Sequence, residues 1–252
     1  MFVLQQSRVC GRSVADAAGE ETAAMIIDVY SDIICPWCFI GKRRLEKAIA
    51  MLGAGDVAVR WHPFQLNPDM PREGVERRAY RIKKFGSWEN SQAKDAQVAQ
   101  AGRGEGLTFD YEKQTRTPNT LDGHRIIWLA GERGVQGAVV EAMFKAYFTD
   151  GRDLSDRATL VAVAVAVEGG LDAGEVADLL AGDAGLAEVR EQEQMGRHLG
   201  VTGVPFVVIN DSVAASGAQS PEMFLKAFEQ AGEEVATGDA CEVDPATGKR
   251  GC

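Results

Sequence analysis

Two cysteines separated by two residues, set where a strand-like run passes into a helix, restrict this chain more than any other feature of its sequence. Met25 to Tyr30 is a short apolar run of the kind that forms a buried strand. It leads through Ser31, Asp32, Ile33 and Ile34 into Cys35-Pro36-Trp37-Cys38. From Pro36 to about Leu52 the apolar residues Leu45, Ala48, Ile49 and Leu52 share one helical face, with Lys42, Arg43, Glu46 and Lys47 largely on the other. Gly53 ends that helix. Val57 to Trp61 then alternates as a second strand, which His62 and Pro63 close. The opening unit is β-α-β.

Such a junction suits dithiol chemistry. The first turn of a helix presents unpaired N–H groups and the positive end of the helix dipole, and both stabilise a thiolate. That position belongs to Cys35, the attacking thiolate on this reading, while Cys38 one turn further in is the resolving thiol. Pro36 sits at the first helical position, where a missing N–H costs nothing. The competing use of a close cysteine pair is zinc, which needs four ligands. The remaining candidates, Cys10, Cys241, Cys252, His62, His124 and His198, are scattered along the chain, so no metal site is expected.

Charge narrows the partners. A net charge of −10 argues against nucleic acid and anionic membrane surfaces, which reward clustered Lys and Arg. The longest greasy stretch, Leu160 to Val167, falls far short of the ~20 residues of a membrane helix. Residues 1–24 lack the continuous apolar segment of a secretory signal and carry Asp16, Glu20 and Glu21. They read as a flexible extension or as a start placed too early, with Met25 a sensible initiator. A cytoplasmic location follows, where a close cysteine pair reads as redox chemistry rather than a disulfide framework.

The middle of the chain is helix-rich, with helical patterns at Arg72–Phe85, Asn119–Arg133, Gln136–Thr149, Asp156–Gly169 and Ala173–Leu180, and a polar, glycine-punctuated stretch at Ser91–Gly106. Ser155 is the expected cap of the fourth helix. Strand signals then return. A charged helix over Ala184–Leu199 precedes the turn Val201 to Pro205, a strand Phe206–Ile209, a hairpin turn at Asn210-Asp211 and a strand Ser212–Ser216. Ser220 and Pro221 open a last helix to about Glu233.

The segment Tyr30 to Lys42 (YSDIICPWCFIGK) resembles the active-site segment of the DsbA-like thioredoxin-fold oxidoreductases, particularly their cytoplasmic FrnE-type branch. That branch is related to the 2-hydroxychromene-2-carboxylate isomerases and kappa-class glutathione transferases. Pro63 to Met70 (PFQLNPDM), Asn119 to Arg125 (NTLDGHR) and Gly200 to Phe206 (GVTGVPF) are similar as well. The resemblance implies an α/β chain: a thioredoxin fold with a large all-helical insertion. Its parts would be an extension at 1–24, a thioredoxin-like domain at 25–66 and 184–233, the insertion at 67–183, and a flexible tail at 234–252.

The same resemblance assigns roles that the residues alone leave open. Only about 5–6% of X-Pro bonds in folded proteins are cis, so Pro205 by itself reads as trans. The family places a cis proline against the dithiol, exposing backbone for an extended substrate, which implies that role for Pro205, with Val204 before it and Thr202 nearby. Asp28 interrupts the first strand, and a buried carboxylate needs a job or a partner. The resemblance makes it the acid that shuttles a proton for Cys38; the alternative is an acid reaching solvent at a strand end. Asp32 belongs to the exposed loop. A lone His124 is more often a structural hydrogen-bonder than a catalyst, yet the resemblance sets Asn119, His124 and Asn67 along the cleft facing the dithiol. Trp37 is the substrate-contacting aromatic at the cleft mouth; Trp61, Trp88 and Trp128 read as packing. Cys241 and Cys252, more widely spaced than the second cysteine pair of some FrnE-like proteins, stand as a relay, a local disulfide or neither. Cys10 gets no role.

The function implied is thiol–disulfide exchange on disulfide-containing proteins or small thiols, with no tightly bound cofactor and glutathione as a candidate reductant or co-substrate. The alternative is a glutathione-dependent isomerase or transferase on the same fold. Relatives of that kind generally present serine where this chain has Cys35, so possession of both cysteines favours exchange. A chaperone-like binder using the insertion's cleft is a third reading, which exposed apolar surface would support.

Overall fold

The computed structural model describes residues 2–3, 25–53 and 56–238. A five-stranded sheet is formed by β1 (Phe2–Val3), β2 (Met25–Ser31), β3 (Val57–Pro63), β6 (Phe206–Ile209) and β7 (Val213–Ser216), with β4 (Val75–Glu76) and β5 (Arg116–Thr117) pairing apart from it. Its order is β1-β7-β6-β2-β3, with β2 and β3 parallel and the other neighbours antiparallel. The β-α-β unit is closed by α1 (Pro36–Leu52), which stops at Gly53 with φ +87. At the β6–β7 turn, Asn210 and Asp211 both take positive φ, 47° and 54°, as a tight hairpin turn requires.

Between β3 and β6 lies the helical block: α2 (Arg77–Phe85), α3 (Trp88–Gly104), α4 (Leu121–Glu132), α5 (Gln136–Phe148), α6 (Arg157–Val165) and α7 (Ala173–Ala181). The chain returns through α8 (Leu186–His198), and α9 (Pro221–Gly238) follows the last strand. The polar stretch around Ser91 is thus one continuous helix, capped by Ser87, whose Oγ accepts from Asn90 N at 3.1 Å.

Three expectations change. The insertion is not all-helical, because β4 and β5 form a short antiparallel ladder within it. The helix expected from Arg72 begins only at Arg77: Gly74 N closes a turn onto Pro71 O, and the Glu76 carboxylate caps Arg78 N and Ala79 N. Phe2–Val3, within the expected flexible extension, pair with the free edge of β7. At the next level of detail, Asp156 and not Ser155 caps α6, accepting from Thr159 N at 2.9 Å.

Strand alternation sorts the side chains of β2 between two layers. Ile27 and Val29 enter the main core with Phe39 of α1 and Phe224 and Phe228 of α9. Tyr30 faces the other way, toward α8, where a Cβ on Gly196 would stand 2.7 Å from its ring. Phe39 stacks on Phe144 at 5.1 Å, so α1 is also the surface on which the helical block is built. The outer edge of β3 is closed by a side chain: Gln136 accepts from Trp61 N at 2.9 Å and donates to Trp61 O at 3.1 Å, as a neighbouring strand would.

Candidate active site

Cys35 is the extended residue preceding α1 (φ −92°, ψ 109°), and Pro36 is the first residue of the helix. Cys35 N donates to Asp32 O at 2.9 Å, and Cys38 N donates to Cys35 O at 3.0 Å. This turn brings both cysteines, as free thiols, to one place at the end of β2. Cys35 is 6% exposed and Cys38 1%. Burial, and then the hydrogen bond to Cys35, push the Cys38 thiol well above its ordinary pKa. Cys38 is therefore a protonated thiol at neutral pH.

Opposite the pair lies the loop before β6. The Val204–Pro205 bond is cis, and Cys35 Sγ donates to Val204 O at 3.5 Å. Gly217 N bonds Pro205 O at 2.8 Å and holds that loop to the sheet. Gly41 lets α1 approach: a Cβ there would lie 3.0 Å from Pro205 Cγ. Trp37, 37% exposed, stands beside the dithiol at the mouth of a cavity.

The acids of the region are arranged differently from the expectation. Asp28 lies on the Tyr30 face of β2, opposite the layer that carries α1, because neighbouring strand residues point to opposite faces. Its carboxylate pairs with His62 Nε2 at 2.6 Å, so it is a partnered acid away from the thiols. Asp32, expected in an exposed loop, is fully buried. Its Oδ2 accepts from Leu66 N at 2.7 Å and its Oδ1 from Ile34 N at 3.4 Å, which ties the dithiol loop to the loop after β3. His124 is buried behind it, Nε2 at 3.5 Å from Asp32 Oδ1 but off hydrogen-bond geometry.

Asn119 and His124 do not wall the cavity beside Trp37. The amide of Asn119 is spent locally, donating to Met70 O at 2.5 Å and accepting from Leu121 N at 2.9 Å. Asn67 does line the cavity; its Oδ1 accepts from Tyr80 OH at 2.6 Å and its Nδ2 is buried without a partner. Trp61 is a core residue, and Trp88 and Trp128 are half-buried. Cys10, Cys241 and Cys252 lie outside the described residues.

The cavity has a volume of about 330 Å³ and lies between the dithiol loop and α2–α3. Its far wall holds a charged cluster that sequence reading missed. Arg77, 4% exposed, donates to Asp95 Oδ2 at 2.7 Å and lies over the Tyr111 ring at 5.2 Å. Arg81 bonds the other oxygen of Asp95 and donates to Ser91 Oγ at 2.8 Å. Arg77 and Arg81 are one helical turn apart, a visible spacing, but their partner Asp95 joins them only when α2 and α3 fold together. Burial raises the pKa of the Tyr111 hydroxyl, which stays a protonated donor. Among the described residues no group of His, Cys, Asp and Glu is placed to hold a metal ion, and no helix is long and apolar enough to cross a membrane.

Known proteins are similar to this chain in sequence and fold. Residues 26–229 match the family model described as a DSBA-like thioredoxin domain. The Bacillus subtilis protein YwbO is 27% identical over 210 residues, covering 80% of this chain and 94% of its own length. A probable DsbA oxidoreductase from Streptomyces coelicolor superposes with a TM-score of 0.76 at 37% identity, over 83% of this chain and 91% of that one. The cytosolic disulfide reductase DsbM of Pseudomonas aeruginosa shares the fold, with a TM-score of 0.55 at 17% identity over 84% of this chain and 98% of that one. Matched from the first strand of the β-α-β unit into its last helix, this chain belongs to the DSBA-like thioredoxin domain family.

Proposed function

We propose that this protein is a thiol–disulfide oxidoreductase that reduces or isomerises disulfides in the cytoplasm, with Cys35 as nucleophile and Cys38 as resolving thiol. One observation carries the reading: two free thiols, Cys35 just before α1 and Cys38 in its first turn, with Cys35 Sγ 3.5 Å from the Val204 carbonyl beside Pro205. A substrate strand paired with that backbone would bring its disulfide to Cys35. The Cys35 thiolate attacks one sulfur of the substrate, forming a mixed disulfide and releasing the first substrate thiolate. Cys38 then loses its proton and attacks the Cys35 sulfur. The Cys35–Cys38 disulfide forms, and the second substrate thiolate leaves. The substrate gains two electrons and the protein dithiol loses two. Burial of Cys38 holds it as a thiol, so resolution waits until the mixed disulfide exists.

Glutathione is the reductant we propose for closing the cycle; the structure of DsbM is described as a complex with GSH. The direction of exchange follows from the two residues between the cysteines. Pro36 offers no N–H to the Cys35 thiolate, and Trp37 brings no imidazole charge. A less stabilised thiolate makes a weaker oxidant, because oxidising power grows with stabilisation of the reduced form. Equilibration with glutathione buffers is expected to give a midpoint between about −120 mV and about −270 mV, nearer the second value. A midpoint at or above about −120 mV contradicts the reducing direction.

A further inference from the structure

We propose that the cavity between the dithiol loop and α2–α3 is a carboxylate-accepting specificity subsite, which selects acidic disulfide or thiol substrates for Cys35. The proposal rests on the preceding reading of the dithiol and adds the chemical class of its substrate. Ile34, Pro36 and Trp37, which flank Cys35, form one wall of this cavity, so an occupant reaches the neighbourhood of the attacking sulfur.

The opposite wall is cationic in a protein whose net charge is −10. Arg77, Arg81, Lys84 and Lys94 line it, against the single carboxylate of Asp95. That carboxylate bridges the two arginines and fixes their positions without neutralising the cluster. The lysines are placed as well. Lys84 Nζ lies 5.4 Å from the Tyr80 ring centroid, and Lys94 Nζ lies 5.4 Å from that of Phe85.

Two neutral donors complete the site. Asn67 Nδ2 and the Tyr111 hydroxyl are buried cavity-lining groups that bond nothing in the fold. Buried polar groups are nearly always paired, so two unpaired donors on residues that line one cavity are free to bond a ligand's oxygens once they turn toward it. Aromatic rings supply an apolar body for the rest of the occupant. The whole matches a short carbon chain or ring that carries a carboxylate at one end and sulfur at the other.

The test compares two disulfides of one shape, 3,3′-dithiodipropionate and its diamide, as oxidants of the reduced protein. The dianion is expected to react about tenfold faster or more at low salt, since steering by charge is screened by ions. In the surface variant Lys84→Gln/Lys94→Gln that ratio is expected to fall toward unity. Suberate, in which two methylenes replace the two sulfurs, is expected to bind the wild-type protein more tightly than the double variant, as measured by titration calorimetry. Cyclic disulfide peptides flanked by glutamate or glutamine separate the sources. A charge preference confined to the small pair assigns a small-molecule substrate, and one seen in both assigns any carboxylate carried near the disulfide.

Equal rates for dianion and diamide in the wild-type protein, or a preference that the double variant retains in full, overturn the subsite. If neither disulfide oxidises the dithiol while suberate still discriminates between wild type and variant, the oxidoreductase reading falls and the subsite stands.

Discussion

Cys35→Ser is expected to lower the rate of disulfide reduction to the uncatalysed background, a loss of at least about a thousandfold, as for removal of the nucleophile in other covalent catalysts. The serine hydroxyl is isosteric enough to leave the first turn of α1 in place, but it is not ionised near neutral pH and forms no disulfide. Reduction of insulin by a thiol, followed as precipitation of the freed chain, measures the loss. Cys241→Ser/Cys252→Ser is the comparison, and most of the activity is expected to survive in it. A tail variant as inactive as Cys35→Ser would make the tail pair part of an obligatory relay and displace Cys35–Cys38 as the sufficient unit.

The second large effect is on stability. Arg125 is fully buried in α4, where its guanidinium serves four acceptors. Nε donates to Ala184 O at 2.8 Å, Nη1 to Asp122 Oδ1 at 2.7 Å, and Nη2 to Leu179 O and to Gly182 O, the latter at 2.7 Å. The carbonyls belong to the end of α7 and the loop into α8, so one side chain ties the end of the helical block to the helix that returns to the sheet. Arg125→Met keeps the volume and removes every donor. It leaves three carbonyls without this partner, although Asp122 retains a contact to Arg72. Breaking a buried charged network from one side costs about 3–5 kcal/mol. For a chain of this size that lowers the melting temperature by on the order of 10 °C. Arg125→Lys is expected to recover only part, because one ammonium cannot span the planar fork. An Arg125→Met protein that melts within a degree or two of wild type would show that water satisfies those carbonyls.

The β-α-β unit and the return of strands after the helical block were legible because their signals are local. Alternation, a proline at a helix start and paired positive-φ residues at a hairpin each act within a few positions. The dithiol was legible for the same reason. What depended on which way a loop turns was not. Asp28 and Asp32 are four residues apart, and the sequence misplaces the second. It leaves Asp28 either as a proton shuttle near the thiols or as an acid reaching solvent at the strand end, and it exposes Asp32, which is buried. The alternation of β2 sends Asp28 to His62 on the α8 side. Asp32 is drawn inward by two backbone N–H groups, one of them from Leu66 on a distant loop. Nothing in the local pattern encodes that second donor.

Asn119 illustrates a related limit. A polar side chain before a helix can face a cleft or cap its own backbone, and here it caps, bonding Leu121 N and Met70 O. The charged wall of the cavity was invisible for a third reason. Arg77 and Arg81 look like the solvated face of a surface helix until α3 brings Asp95, Ser91 and Lys94 against them. The start of α2 shifted five residues from Arg72 to Arg77 through a glutamate cap that ordinary cap preferences rank low.

The account stands on Cys35 as the sulfur that bonds to substrate, and one measurement addresses that bond. Reduced Cys38→Ser protein, mixed with glutathione disulfide and quenched in acid, is examined by intact mass and by peptide mapping. The account predicts a stable mixed disulfide of one glutathione per chain, located on Cys35, absent from Cys35→Ser and only transient in wild type. A protein that forms no adduct at Cys35, or that carries its adduct on another cysteine with Cys35 still free, contradicts it.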